Sequence, residues 1–356
     1  MHQITLGHSN RPDDVPTVLD NLMRPDGQPR TGHFDGSVRC LGLDDFRYFD
    51  AMDRPASTWA RRFHFKQFQF ISLTSPEWII GVAIANIGYV ISAFCYRYQL
   101  KTGEIKETSW LKPFGVGCES TPSPYDGRAS ITGGSGQLLF NIVEGQWQFT
   151  LDALGIQADL ALQSSPLSLP LAVCTPTGYN GWTYTQKHNA LALSGSLSID
   201  GAKQPVASML AGYDFSAGYM RRETSWRWAS INAQLPDGAR LGLNLAAGVN
   251  ETGTTENALW IDGERYLLGP VHFRFERHRP GGAASGRVWR IVSDDGRVDL
   301  HFTPKDKRAE KRNLLLLKSN FRQYIGHFNG TLMDGQGRKH RLDRVLGLTE
   351  DHYAKW

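Results

Sequence analysis

The stretch QWQFTLDALGIQADLAL (Gln146–Leu162) decides the fold, because it has the pattern of two strands joined by a turn and returns later in the chain. Its counterpart is VWRIVSDDGRVDLHF (Val288–Phe302), with the same tryptophan, alternating run, turn and Asp-Leu pair. Upstream, FKQFQFISLTSPEWIIGVAI (Phe65–Ile84) resembles SWRWASINAQLPDGARLGLNL (Ser225–Leu245) in the same order. Both pairs are roughly 140 to 160 residues apart, about one domain length, which predicts two tandem units of similar build.

The remaining sequence is dominated by alternation with a period of two, which is typical of β-strands. In FHFKQFQFISL (Phe63–Leu73) aromatic residues fall on both faces, so we expect this strand to be covered on both sides. Asp-Gly pairs in SIDG, LPDG and DDG stand between alternating runs, the strongest short-range signal for a hairpin. The fold is therefore predicted to be all-β, with a lead-in over residues 1–30 and antiparallel β-barrels over 31–205 and 206–356.

Three segments carry separate expectations. The apolar run from Trp78 to Tyr98 approaches the length of a membrane span, but Asn86 and Gly88 interrupt it, which favours two buried strands. Residues Pro12 to Met23 are predicted to form a short helix. The charged segment KDKRAEKR (Lys305–Arg312) is predicted to be a turn or a short helix, with a solvated loop favoured.

Composition excludes several classes of protein. A net charge of +4, with 21% charged and 40% hydrophobic residues, suits a soluble protein and not a nucleic-acid binder. The four cysteines form no CxxC pair, and no HxH or HExxH motif is present, so we expect buried free thiols and no metal site. TGGSGQ lacks the spacing of a phosphate loop, and no GxSxG elbow is present. The first residues do not look like a signal peptide, which predicts a cytoplasmic protein without stable membrane insertion.

Asp214 is the first candidate for chemistry, because AGYDFSAGYMRRETSWRWAS sets it among aromatic residues. A carboxyl group in an apolar pocket has a raised pKa and can donate a proton at neutral pH. The structural alternatives are an Asx turn or an ion pair with Arg221 or Arg222. A carboxyl group that points unpaired into a pocket would favour catalysis, whereas a turn or an arginine pair would favour mere ligand binding.

The chain resembles the domain-of-unknown-function family 2804 over about Thr31 to Trp356. The residues that carry the resemblance are GWTYTQKHNALALSGSLSIDG, the segment from Ala211 to Leu245, ENALWIDGERYLL, IGHFNG and GLTEDHYAKW. That family is similar in turn to AttH-like proteins and to carotenoid 1,2-hydratase (hydroxyneurosporene synthase). The resemblance implies two tandem lipocalin-like (calycin-type) barrels. It also implies a cofactor-independent reaction in which an aspartic acid protonates an alkene and water captures the cation.

Carried onto this sequence, the acid segment matches Tyr213-Asp214, and the upstream stretch departs from the family by placing Lys187 between its aromatics and His188. The catalytic candidates are Asp214 as general acid, Tyr184 as a cation-stabilising wall, Lys187 as an orienting group, and Glu256, from a polar loop, as the second carboxylate. The substrate-binding candidates are Trp182, His188, Tyr213, Trp226, Trp228 and Asn257. For the aromatic residues plain core packing is the alternative, for Lys187 and His188 a surface strand end, and for Glu256 a simple connection.

Two functions follow from these candidates. The first is a cofactor-free lyase, hydratase, isomerase or cyclase that acts on a lipophilic, isoprenoid- or polyketide-like substrate. The second is a carrier that binds a hydrophobic small molecule and performs no chemistry. The residues leave the ligand, the oligomeric state and the roles of Arg221 and Arg222 open.

Overall fold

The computed structural model describes residues 18–249, 253–276, 288–313 and 317–356. Nearly all of them lie in strands or turns. The α-helix α1 (Thr58–His64) is capped at its N-terminus by Ser57, whose hydroxyl accepts from the Ala60 N–H, and a 3₁₀ turn spans Val206–Ser208. The strands up to Tyr219 are β1 (Leu19–Asn21), β2 (Gly32–Phe34), β3 (Val38–Cys40), β4 (Phe65–Thr74), β5 (Trp78–Asn86), β6 (Val90–Gln99), β7 (Ile105–Pro113), β8 (Glu119–Ser120), β9 (Gly127–Gly133), β10 (Gly136–Val143), β11 (Gln146–Ala153), β12 (Ile156–Gln163), β13 (Leu171–Thr177), β14 (Gly181–Ile199), β15 (Ala202–Lys203) and β16 (Leu210–Tyr219). Those after it are β17 (Glu223–Gln234), β18 (Arg240–Ala247), β19 (Ala258–Ile261), β20 (Glu264–Leu267), β21 (Val271–Arg274), β22 (Trp289–Ser293), β23 (Val298–Asn313), β24 (Lys318–Met333) and β25 (Lys339–Lys355).

The strands form two large antiparallel sheets. The first has the order β7-β6-β5-β4-β16-β14-β12-β11-β10-β9-β8, with β13 and β15 also paired with β14, and β2 paired with β13. The second has the order β20-β19-β18-β17-β25-β24-β23-β22-β21. A small parallel pair, β1 with β3, stands apart. The prediction of an all-β fold is confirmed, and the two curled sheets are those of tandem lipocalin-like barrels.

The internal repeat is visible in the strand order. Read from β7 and from β20, the two sheets match position by position, so β4–β5 corresponds to β17–β18 and β11–β12 to β22–β23. These are the segments that the sequence paired. In each unit the last strand, β16 or β25, returns to pair with the first strand of the repeat. The domain boundary predicted between residues 205 and 206 remains a prediction. The strand that follows it, β16, pairs with β14 in the first sheet.

Local predictions had mixed outcomes. The turn at Asn86–Gly88 is confirmed, because β5 ends at Asn86 and β6 begins at Val90. The loop or helix predicted for Lys305–Arg312 is wrong, since this segment continues β23, with Arg308 buried and most of its neighbours partly or fully exposed. Residues 12–17 of the helix predicted for Pro12–Met23 lie outside the described part of the chain. Within the rest of that range, Leu19–Asn21 forms the strand β1 and not a helix.

The three largest apolar clusters of the described residues hold the molecule together. The first unit buries one core, which contains Trp147, Phe149 and Trp182, and the second unit buries another around Trp289 and Phe302. A third cluster joins the two sheets and contains Phe70, Tyr96 and Tyr98 from the first and Trp228, Ile325 and Leu348 from the second. Each fully buried large side chain stabilises the fold by about 1.5–3 kcal/mol relative to exposure. The sheets therefore meet across a packed interface.

Two further findings concern the environment of the chain. All four cysteines are free, and Cys95 and Cys174 are buried, but the expectation of burial is wrong for Cys40, which is exposed. Among the described residues, no helix has the length and the apolar character needed to span a bilayer.

Candidate functional site

The long strand β14 carries different residues on its two faces. Its even-numbered residues, Trp182 and Tyr184, point into the core of the first unit. Alternation puts Thr185 and Lys187 on the opposite face. There β16 runs antiparallel to β14, and Lys187 stands directly opposite Asp214. Because side chains at directly opposed positions share a face of the sheet, the two side chains meet.

A three-membered ion cluster forms where this face meets the second unit. The Lys187 Nζ lies 2.6 Å from Asp214 Oδ2 and 3.2 Å from Glu256 Oε2. Glu256 precedes β19, so the second unit supplies the second carboxyl group. The side chains are 6% (Lys187), 14% (Asp214) and 3% (Glu256) exposed. One ammonium group thus faces two carboxyl groups in a site largely closed to water.

Two hydroxyl groups connect the carboxyl groups by a second route. Ser216 Oγ lies 3.1 Å from Asp214 Oδ1, and Thr185 Oγ1 lies 3.2 Å from Glu256 Oε1. The two hydroxyl oxygens are 3.2 Å apart, and either can donate to the other. Together with Lys187 they close a ring of hydrogen bonds in which a proton has a path between Asp214 and Glu256.

The charges of this cluster do not balance when all three groups ionise. Burial raises the pKa of Asp214, Lys187 lowers it, and the charge of Glu256 raises it again; the net result is a pKa above the ordinary value. Burial alone would lower the pKa of Lys187, but the two neighbouring carboxylates outweigh it, so that pKa is raised and the ammonium stays charged. The carboxyl group of Asp214 therefore favours its protonated form.

Aromatic rings lie beside the acid. Asp214 is directly opposite Phe70 on β4, and Ser216 is opposite Phe68. The Phe70 ring lies 6.3 Å from Phe94 and 6.0 Å, edge-on, from Trp228. Together with Trp226, these rings form what we call the inter-sheet aromatic cluster (Phe68, Phe70, Phe94, Trp226, Trp228), in which Phe68, Phe94 and Trp226 are only partly buried. A lipophilic molecule on these rings would lie next to Asp214.

A cavity of about 200 Å³ adjoins the second carboxyl group. Its lining includes Glu256, Asn257, Thr255 and Ala246. Ala246 also packs against the inter-sheet aromatic cluster, so the cavity borders both the cluster and the acid site. This volume accommodates small groups or several water molecules beside Glu256.

The structure brings together three of the four predicted catalytic residues, Asp214, Lys187 and Glu256. The fourth, Tyr184, lies on the other face of β14, inside the first unit, where its hydroxyl donates to Gln186 at 2.8 Å. Trp182 and Tyr213 are also in that core, and Tyr213 stacks on Trp147 at 4.6 Å. These three aromatic residues are separated from Asp214 by the backbone of the sheet.

The other predicted binding residues have defined structural partners. His188 is buried, its Nε2 lies 2.8 Å from Ser168 Oγ, and burial lowers its pKa to about 3. Asn257 is held by its amide, which donates to the Gly269 carbonyl at 2.9 Å and accepts from the Ala246 N–H at 2.7 Å. Trp228 donates to Asn244 and Trp226 to Glu350, while both rings remain part of the inter-sheet aromatic cluster.

Both structural alternatives considered for Asp214 are wrong. Asp214 lies in the middle of β16, not in a turn, and its ion-pair partner is Lys187, not Arg221 or Arg222. It is paired, yet its partner is shared with a second carboxyl group. Sequence reasoning missed Thr185 and Ser216, although their spacing of two from Lys187 and Asp214 was the available signal. Among the described residues, no group of three histidine, cysteine or carboxylate side chains could hold a metal ion.

Comparisons with known proteins agree with this fold. Kievitone hydratase from Nectria haematococca superposes with a TM-score of 0.51 at 11% sequence identity, over 95% of this chain and 98% of its own. CghA, solved with Sch210972, gives 0.52 at 10% identity, over 94% of this chain and 97% of its own. A Nitrosomonas europaea protein provisionally assigned as AttH gives 0.49 at 15% identity, over 82% and 92%. No curated protein matches by sequence. The model of a family described as "domain of unknown function (DUF2804)" matches residues 17–356.

Proposed function

We propose that this chain, which belongs to the DUF2804 family, is a hydratase-type lyase that adds water to a carbon–carbon double bond of a lipophilic substrate, or removes it. The observation that carries the proposal is the buried pair of carboxyl groups that share one ammonium group. Such a pair holds a proton donor and a proton acceptor in one site at neutral pH, which is the requirement of general acid–base catalysis.

The residues divide the chemistry between them. Asp214 is the general acid: its proton adds to one alkene carbon, and positive charge develops on the other. Phe70 is directly opposite Asp214, and its ring meets that of Trp228, so these two rings are the ones that stabilise the cation through their π-electrons. Water adds to the cation, and Glu256 accepts the proton that the water loses. The atoms balance, since the alkene gains one hydrogen and one hydroxyl group.

The hydroxyl bridge restores the site for the next cycle. After the reaction Asp214 is a carboxylate and Glu256 carries the proton. Thr185 and Ser216 pass this proton back, because each hydroxyl group accepts on one side and donates on the other. Lys187 keeps its charge throughout and holds both carboxyl groups in position.

A lipophilic substrate is supported by the surroundings of the acid. The inter-sheet aromatic cluster offers partly buried rings beside Asp214 and Ser216. Two solved proteins with the same fold support the same class of function, since one of them is named a hydratase and the other was solved with Sch210972.

Native mass spectrometry of the wild type and an Asp214→Asn variant tests the proposal. We expect the variant to retain a co-purified lipophile that differs from the wild-type ligand by the mass of one water molecule, because the asparagine cannot donate the proton. Asp351→Asn is the matched control, since Asp351 is also a buried, ion-paired carboxylate, held by Arg227 and Arg322, but alternation along β25 puts it on the face opposite to that of Glu350. An identical ligand mass on all three proteins would instead identify a carrier and refute the enzymatic proposal.

A further inference from the structure

A second polar group lies on the other side of the inter-sheet aromatic cluster. In the second sheet, Arg308 is directly opposite Gln323, Gln323 is opposite Glu350, and Glu350 is opposite Trp228. These residues therefore form one row across β23, β24, β25 and β17, on the face that meets the first sheet. Tyr96 of β6 approaches the same row, with the Arg308 guanidinium 5.0 Å from its ring centroid.

Three polar atoms of this group have no hydrogen-bond partner within the described part of the chain. They are the hydroxyl of Tyr96, Nη1 of Arg308 and Oε1 of Gln323. All three residues are buried, with exposed fractions of 0%, 7% and 2% respectively. A buried polar atom without a partner costs free energy, so two donors and one acceptor on these neighbouring residues indicate a ligand that pairs with them.

The neighbouring contacts fix this group in place. The Arg308 guanidinium lies 4.1 Å from the ring centroid of Phe94 and 5.1 Å from that of Phe321, and its Nε donates to Glu107 at 2.6 Å. Gly81 is opposite Tyr96 on β5, and a side chain there would begin 2.3 Å from the tyrosine ring. Glycine at 81 thus leaves the space that the Tyr96 ring occupies.

The charges around the group favour an uncharged ligand. Arg308 is already paired with Glu107, and Glu350 is held by Trp226 Nε1 at 2.8 Å and Gln323 Nε2 at 3.4 Å. His352 Nδ1 is 3.6 Å from the same carboxylate. A ligand carboxylate would meet Glu350 across a short distance, whereas a carbonyl oxygen accepts from Arg308 and Tyr96 without that repulsion.

We propose that Tyr96, Arg308 and Gln323 form a subsite for an oxygenated end of the substrate, with a carbonyl oxygen bound by Arg308 and Tyr96 and an adjacent hydroxyl group donating to Gln323. This inference rests on the proposed function and narrows its substrate class. The Phe94 and Phe70 rings connect the subsite to the position opposite Asp214. The substrate is therefore a polyketide-like or phenolic hydroxyketone and not a hydrocarbon polyene.

Three probes of similar outline test the subsite: 3-hydroxyflavone, flavone without the hydroxyl group, and the hydrocarbon 2-phenylnaphthalene. Binding is followed by quenching of tryptophan fluorescence and by calorimetry. We expect the wild type to bind 3-hydroxyflavone at least about tenfold more tightly than 2-phenylnaphthalene, with flavone between them, because the hydrocarbon leaves all three polar atoms unpaired.

The variants Tyr96→Phe and Arg308→Gln distinguish binding at the subsite from non-specific hydrophobic binding. Tyr96→Phe removes a single oxygen atom and should reduce the preference for 3-hydroxyflavone roughly 3- to 10-fold, while affinity for the hydrocarbon stays the same. Arg308→Gln should reduce it further. Arg97→Gln is the matched control, because Arg97 is also a buried arginine paired with an exposed carboxylate, Asp200, and should leave the preference unchanged.

Each outcome decides the inference. Equal binding of the three probes, no binding of any, or an unchanged preference in a folded Tyr96→Phe protein would overturn it. These measurements need no turnover, so the proposed function is judged apart from them. The hydratase proposal would stand and the subsite would be rejected if two results came together. The ligand of Asp214→Asn would differ in mass by one water molecule, and the preference for 3-hydroxyflavone would be the same in the Tyr96 and Arg308 variants as in the wild type.

Discussion

Replacing Lys187 by methionine tests the ion cluster through stability. The substitution keeps the length of the side chain and removes the only ammonium group that the described contacts place between Asp214 and Glu256. Asp214 and Glu256 then lose the ammonium group that they share, and breaking a buried ion pair in this way costs about 3–5 kcal/mol. The loss is lower than for two permanent charges, because carboxyl groups can take up protons.

The sign of the pH dependence follows from that proton uptake. Without Lys187, the pKa of Asp214, which burial already raises, lies still further above its value in the unfolded chain. Such a group favours folding at low pH, and this contribution is lost as the pH rises through the folded pKa, by up to about 1.4 kcal/mol per pH unit. The cost of Lys187→Met should therefore be several-fold smaller at about pH 5 than at about pH 8.

Urea unfolding, followed by tryptophan fluorescence at several pH values, measures this cost. The matched control is Lys66→Met, because Lys66 is also buried but donates to the backbone carbonyls of Phe63 and Ile87 and has no carboxylate among its described partners. That control should show no such recovery towards acid pH. A Lys187→Met cost below about 1 kcal/mol, or one equal at acid and alkaline pH, would refute the assignment of Lys187 as the shared counter-ion.

Two further predictions concern neighbouring residues. Burial lowers the pKa of His188 in the folded protein to about 3. As the pH falls below about 6.5, the unfolded chain takes up a proton at this residue while the folded protein does not, so the free energy of unfolding decreases. His188→Gln should remove on the order of 4 kcal/mol of that loss of stability at acid pH, measured as free energies of unfolding. An unfolding free energy that falls with pH as steeply in the variant as in the wild type would contradict the lowered pKa of His188. Thr185→Val should slow turnover of the substrate identified by mass spectrometry about 10- to 100-fold without weakening its binding, because the hydroxyl bridge is cut. Thr185→Ser should restore the rate, and a valine variant as fast as wild type would exclude the bridge from the cycle.

The fold was predictable because its signals are local. Asp-Gly turns and alternating runs mark the hairpins, and the resemblance of Gln146–Leu162 to Val288–Phe302 reports two strand pairs in equivalent positions of the two sheets. The charged segment around Arg308 was not predictable, since a strand with exposed charges on one face has the composition of a loop. Its single buried arginine depends on rings that come from a distant strand, β6.

The candidate site was predictable only in part, and β14 shows why. From Trp182 to Ala190 every residue of this strand is buried, so alternation alone cannot say which face points into the barrel and which faces the second unit. Sequence analysis therefore assigned Tyr184 and Lys187 to one site, although their side chains lie on opposite faces of β14. The pairing of β16 with both β14 and β4, which sets Phe70 opposite Asp214, is a long-range contact without a local signal.

The central claim is that Asp214 retains a proton at neutral pH because burial and the neighbouring charge of Glu256 raise its pKa. Infrared spectroscopy measures this directly through the carbonyl stretch of a protonated carboxylic acid. We predict that the wild type shows this band at neutral pH, that Asp214→Asn and Glu256→Gln each lose it because one carboxylate then balances Lys187, and that Lys187→Met strengthens it. A wild-type spectrum without the band, or a band that survives in both carboxyl variants, would contradict the account.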